Sequence, residues 1–337
     1  MKNSFESLLG IKIPDMGEIG IIFFEECNLR CPMCPQDHTS IEGQSKDEIL
    51  SKVDIIKDVL LHNSNSQGVT LNIMGGELFQ DHLLEEYLPI YSEFIENVNT
   101  LSLKLNRKII FRFVTNLVFT NHELVASWLY KHNLDLTVSY DSKGRFNTTN
   151  LDIFKSNIEV FKNRINLISL VASRDSMLTV MNRADSYYDY LYRNFDCHWE
   201  FLTPVPGVVA PTKKELYEFN KFLIDNYPNC LQLDPFINKE SINLIGAEVS
   251  QLASHFKLII PNNETTTCQN YEFYFPVKTF DTFIDKFIDE YDCLSCKYYS
   301  RCPLDPLMRD NWVDDTLTGC TYKKTFEYAD KKYGTYN

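Results

Sequence analysis

The stretch Glu26-Cys27-Asn28-Leu29-Arg30-Cys31-Pro32-Met33-Cys34-Pro35 sets three cysteines at C-x3-C-x2-C, just beyond an apolar run, Ile19–Phe24, that reads as a first strand. A loop with this spacing turns three thiols toward one face, and three thiolates leave one iron of a four-iron cluster without a protein ligand. An open iron invites a substrate or cofactor. The alternative for the same residues is a zinc site completed by a distant ligand such as His38.

Downstream of the loop, short apolar runs alternate with longer amphipathic segments, the rhythm of repeated β-α units around a parallel sheet. Further strands are expected at Val69–Met74, Ile109–Val114, Leu134–Tyr140, Leu167–Ala172 and His198–Leu202. Helices are expected near Lys46–Leu61, Leu83–Asn97, His122–Lys131, Leu151–Asn163 and Ala184–Asn194. Six strands fall short of a complete eight-stranded barrel. The run Thr203-Pro204-Val205-Pro206-Gly207 up to Pro211 breaks the pattern, and a helix capped by Thr212 and ending before Pro228 follows. Ser241–Lys257 can be read as helical, and Leu258-Ile259-Ile260 as a short strand. The last 70 residues hold five of the ten cysteines and few long apolar runs, so metal rather than burial is expected to organise them.

Composition narrows the function. With 337 residues, 44% apolar and 23% charged, the chain reads as globular, with roughly two domains. Its 33 basic and 46 acidic residues give a net charge of −13, which repels a phosphate backbone or an anionic membrane, so neither nucleic acid nor membrane is an expected partner. Met1–Gly10 has one lysine and no apolar core of signal-peptide length, and no long apolar run occurs elsewhere. The chain is therefore read as cytoplasmic, where clustered thiols bind metal or do chemistry more often than they form disulfides.

Two glycines at a strand end allow close backbone approach, and the carboxylate in Gly75-Gly76-Glu77, after the second strand, can accept from an ammonium group. Thr115 and Asn116 end the third strand; Ser139 and Asp141 end the fourth. Strand C-termini are where a β/α barrel builds its site.

Cys27, Cys31 and Cys34, followed in register by Gly75-Gly76-Glu77, resemble the radical SAM superfamily from about Gly17 to Leu202. The resemblance implies an α/β fold, a partial (β/α)6 radical SAM barrel with a small C-terminal cysteine-rich iron–sulfur domain. It implies that Cys27, Cys31 and Cys34 ligate a [4Fe–4S] cluster whose fourth iron is chelated by S-adenosylmethionine, and that Glu77 holds the methionine amino group. Met33 stands where the family often has an aromatic residue near the adenine, and Leu117 replaces the glycine of a Thr-Asn-Gly match. Ser139 and Asp141 match a Ser-x-Asp that faces the ribose and methionine carboxylate. For Thr115, Asn116 and Ser139, strand termination alone is the competing reading.

Cys293-x2-Cys296-x5-Cys302 and Cys320 offer four thiolates, and their spacing does not choose between zinc and a four-iron cluster. Downstream of a radical SAM barrel they resemble the SPASM extension, in particular the ligands of its outer auxiliary cluster. Pro306 occupies a position where full SPASM domains carry another cysteine, so one auxiliary cluster, and two [4Fe–4S] clusters in all, are expected. Cys197 and Cys230 are assigned to packing; Cys268, near where an inner-cluster ligand would be expected, is read as a buried thiol with a remnant or replacement ligand as the alternatives. Glu200 is a candidate proton acceptor or substrate ligand, with a structural acid as the competing reading. The expected organisation is an extension at 1–16, the barrel at 17–203, a linker and helical bridge at 204–266, and the auxiliary domain at 267–337.

The resemblance implies an oxidoreductase served by a flavodoxin- or ferredoxin-type reductant. Its 5′-deoxyadenosyl radical would oxidise, cross-link or epimerise a peptide or protein side chain. The alternatives are a dehydrogenase or epimerase of a small aminocyclitol or sugar-type metabolite and, in another class, a non-catalytic zinc or iron–sulfur protein.

Overall fold

The computed structural model describes residues 16–34, 36–62, 68–142, 144–200, 211–237, 256–259, 261, 265–266, 291–299, 302 and 317–334. Eight strands form one sheet: β1 (Met16–Ile22), β2 (Gly68–Met74), β3 (Lys108–Thr115), β4 (Asp135–Tyr140), β5 (Ile165–Val171), β6 (Cys197–Glu200), β7 (Phe256–Ile259) and β8 (Thr265–Thr266). Their order is β6-β5-β4-β3-β2-β1-β7-β8, so the first six stand in sequence order, as the α/β reading expects. β1 pairs in parallel with both β2 and β7, β2 with β3, and β3 with β4, while β8 is antiparallel to β7. Parallel neighbours need crossovers, which the intervening helices supply.

The chain divides into two compact units, with the division inside β5. The sheet unit (residues 15–168 and 253–272) carries helices α1 (Lys46–His62), α2 (Leu84–Leu105), α3 (His122–His132) and α4 (Thr148–Phe161). α2 runs eight residues past its expected end at Asn97, because Val98 and Leu101 continue the buried stripe of Tyr87, Tyr91, Phe94 and Ile95. It stops at Asn106, whose left-handed conformation (φ 50°) lets its backbone N–H satisfy the carbonyls of the last turn. One sheet face packs on these helices: Phe113 of β3 meets Trp128 of α3 edge-on at 5.1 Å between ring centroids, and Tyr91 of α2 at 6.3 Å.

The second unit (residues 1–14, 169–252 and 273–337) includes α5 (Arg174–Met181), α6 (Tyr187–Asn194), α7 (Lys213–Asn226) and α8 (Thr321–Tyr333). α7 begins at Thr212 as expected: the Thr212 hydroxyl accepts from Glu215 N–H at 3.1 Å, and the Glu215 carboxylate accepts from Thr212 N–H at 2.9 Å. α8 packs on α7, where Asn220 Nδ2 donates to the Thr325 hydroxyl and the Tyr328 hydroxyl donates to Asp225. Of the bridging stretch, Phe256–Ile259 is a strand on the edge of β1, where the helical alternative would have continued to Lys257; residues 238–255 lie outside the described ones.

Candidate active site

The cysteine loop is anchored by a continuation of β1. Phe23 N–H donates to the Met74 carbonyl at 3.0 Å, Gly76 N–H to Phe24 at 2.7 Å, and Glu77 N–H to Glu26 at 2.9 Å. The Gly-Gly turn is thus laid along the residues that lead into Cys27. A Cβ on Gly76 would sit 1.9 Å from the Glu26 carbonyl oxygen, so this position admits no side chain.

Cys27 and Cys31 are buried and Cys34 half-buried. Cys34 N–H donates to the Cys31 carbonyl at 3.0 Å, closing a tight turn, and Leu29 N–H donates to Cys27 Sγ at 3.3 Å. Burial pushes the Cys27 thiol up to about 12, with the Glu77 charge adding to the rise and the Leu29 N–H opposing it. Cys34 is also raised, first by burial, and the Arg145 cation works against that rise. A thiolate at either position therefore calls for compensating positive charge, which a bound metal supplies, so that its thiol ligands stay deprotonated. Among the described residues, no three His, Cys, Asp or Glu side chains are gathered as metal ligands. The donor chemistry nevertheless fits an iron–sulfur cluster: three soft sulfurs on one loop, with N–H donors directed at Cys27. His38, the alternative zinc ligand, accepts Cys27 N–H through its backbone at 3.2 Å, and its Nδ1 is buried without a hydrogen-bond partner.

Glu77 joins the loop to the third strand. Its Oε1 accepts from Phe79 N–H (3.0 Å) and the Thr115 hydroxyl (2.8 Å), and its Oε2 from Asn116 N–H (2.6 Å). Burial raises the pKa of this carboxyl, against the lowering effect of those three donors and of Arg145. Asn116 Nδ2 reaches Cys27 Sγ at 3.8 Å and Asn28 Oδ1 at 2.8 Å, while Asn28 Nδ2 donates to the Val118 carbonyl at 2.6 Å. Thr115 and Asn116 therefore do more than end a strand: they brace Glu77 and the first cysteine. Leu117 takes the left-handed conformation (φ 60°) that a glycine would adopt without strain, and its side chain is fully buried.

Met33 and Asp141 are buried. Ser139 is half-buried and alternates with Tyr140, which stacks on Phe146 and contacts Phe154 of α4, so Ser139 faces away from the helices. Two residues outside the expected set belong here. Asn28 completes the Asn116 link, and Arg145, beyond the Ser139–Asp141 turn, acts electrostatically on both Glu77 and Cys34 with its Nε buried and without a hydrogen-bond partner. A cation just past Ser-x-Asp was the available signal for Arg145.

In the second unit, Cys293, Cys296 and Cys302 lie on successive turns: Cys296 N–H donates to Cys293, Tyr299 to Cys296 and Cys302 to Tyr299. Cys320 is the N-cap residue of α8. Cys197 and Cys230 are buried, with the Cys230 thiol donating to the Cys197 carbonyl at 3.3 Å. The side chain of Glu200 and the whole of Cys268 lie outside the described residues. No helix among the described residues is long and apolar enough to cross a membrane.

No family model and no curated protein matches the chain. Solved structures do. A histidine-tagged anSMEcpe with bound AdoMet superposes with a TM-score of 0.58 at 17% identity, over 94% of this chain and 98% of that one. Native anSMEcpe with bound AdoMet and Cp18Cys peptide gives 0.56 at 18% identity over the same shares. The chain has the fold of these radical SAM proteins.

Proposed function

We propose that this chain is a radical SAM enzyme that acts on a peptide or protein side chain. The observation that carries the reading is the convergence of three motifs from adjacent parallel strands: the Gly-Gly turn docks against the entry to Cys27, Glu77 is braced by Thr115 and Asn116, and Asn116 donates to Cys27 Sγ. When bound, a [4Fe–4S] cluster and S-adenosylmethionine would supply reductive carbon–sulfur cleavage to a 5′-deoxyadenosyl radical, which takes hydrogen from an unactivated carbon.

The chain's residues do the holding. Cys27, Cys31 and Cys34 would ligate the cluster, with Leu29 N–H and Asn116 Nδ2 stabilising thiolate at Cys27. Glu77, fixed on both oxygens, has acceptor capacity left for an ammonium group. Arg145 is placed to offset anionic charge near Cys34 and Glu77. Met33 would line the adenine side, while Ser139 and Asp141, at the end of β4, would meet the ribose and carboxylate. Half-burial of Cys34 keeps the turn open to an incoming molecule.

The peptide reading is supported by a structure of like fold that holds a peptide beside AdoMet. We assign Cys293, Cys296, Cys302 and Cys320 to one auxiliary [4Fe–4S] cluster that passes electrons, since four cysteine ligands leave no open iron. The test is anaerobic reconstitution with metal and sulfide analysis. About eight irons per chain are expected, falling to about four in Cys293→Ala. Zinc in place of iron at the C-terminal set would overturn the auxiliary cluster, and zinc at both sets the whole reading.

A further inference from the structure

We infer that Arg112 receives a carboxylate of the substrate on the inner face of the sheet. The inference rests on the reading of the site as a radical SAM centre and adds a feature of the molecule it takes. Phe113 faces α2 and α3, so its neighbour Arg112 projects from the opposite face of β3. Asn72 of β2 stands in register with Arg112 on that face. Thr137 of β4, in register with Val114, belongs to it too, and its hydroxyl donates to Asn166 Oδ1 of β5 at 3.3 Å. Four adjacent strands thus present a polar row where a packed core would be apolar.

The Arg112 side chain is half-buried, and its Nε is buried without a hydrogen-bond partner. Asp135, in register with it, pairs with Arg164 at 3.7 Å instead. Among the described residues no carboxylate lies within ion-pair distance of Arg112. A guanidinium stays charged at any ordinary pH and is costly to enclose without an anion. Its planar fork of donors matches a carboxylate, which can accept two parallel bonds from it.

Position sets the length of the ligand. Arg112 precedes Thr115 by three residues, roughly 10 Å along a strand from the end where Thr115 and Asn116 meet Glu77 and Cys27. An extended peptide covers that distance in about three residues. The substrate class is therefore a peptide with one carboxylate about three residues from the carbon that reacts. A net charge of −13 disfavours a polyanion, so one acidic group held by one half-buried cation fits better than a run of acids.

The test is calorimetric binding to the reconstituted full chain with S-adenosylmethionine present and no reductant. Three probes suffice: acetyl-Ala-Ala-Glu amide, its Gln counterpart, and acetyl-Ala-Ala-Gln with a free C-terminal carboxylate. At least one acid is expected to bind about tenfold or more tightly than the Gln amide. The Glu probe winning assigns a side-chain carboxylate; the free acid winning assigns a chain terminus. Arg112→Gln should abolish the preference and Arg112→Lys keep part of it. No preference in the wild type, including no binding by any probe, overturns the inference, as does a preference unchanged in Arg112→Gln. The radical chemistry is judged separately, by cleavage of S-adenosylmethionine in the wild type without substrate.

Discussion

A methyl group added at Gly76 would lie 1.9 Å from the Glu26 carbonyl oxygen and 2.2 Å from that of Glu25, and both contacts are backbone atoms that cannot swing aside. Gly76→Ala should therefore cost about 1–3 kcal/mol in urea unfolding and loosen the entry to Cys27; a cost near zero would contradict the docked turn. Asn116 acts at the same scale but on the cluster. Losing its Nδ2 donor to Cys27 Sγ should weaken iron retention about 10–100-fold in Asn116→Ala, read by chelator competition, while unchanged retention would leave Asn116 a strand cap. The sequence marked Gly76, Glu77, Thr115 and Asn116 as candidates because their types and strand-end positions suit a site. It did not pair them, since the Thr115–Glu77 and Asn116–Cys27 contacts join residues 38 and 89 positions apart and only the order of strands brings them together.

Elements whose apolar period is long were legible, while short ones were legible only in part: β6 overlaps its expected position, and β7 does so only in its last two residues. β1 to β4 lie within a few residues of their expected positions because each is an apolar run bounded by polar segments. α5, with eight residues, was missed in a gap where one helix was expected, and β7, with four, is too short for periodicity to separate strand from helix. β7 is set by pairing with β1, a tertiary choice that the local pattern announces only at Leu258 and Ile259. Lys52 of α1 reports on that edge. It is fully buried and donates to the Pro261 carbonyl at 3.1 Å, just after β7. Burial lowers its pKa to about 8, with Glu48 and Glu42 opposing. Because this lies below the ordinary 10.5, the unfolded chain binds more protons between about 8 and 10.5, and stability must rise with pH across that window. The effect is at most about 3 kcal/mol. Urea unfolding of Lys52→Met at pH of about 7.5 and about 10 should show a flatter rise than the wild type, and parallel profiles would refute the buried cation.

At the scale of the whole molecule, each unit carries its own set of cysteines, Cys27, Cys31 and Cys34 in one and Cys293, Cys296, Cys302 and Cys320 in the other. Net charge argued against nucleic acid and the cysteine spacing pointed to metal, while the substrate left no mark beyond the polar inner face of the sheet. The central claim is that the first set supports radical formation from S-adenosylmethionine. It is tested most directly by reconstituting the full chain anaerobically, reducing it with dithionite and measuring 5′-deoxyadenosine. The wild type should form it and Cys27→Ala should form none; 5′-deoxyadenosine from Cys27→Ala at the wild-type rate, or none from an iron-loaded wild type, would contradict the assignment.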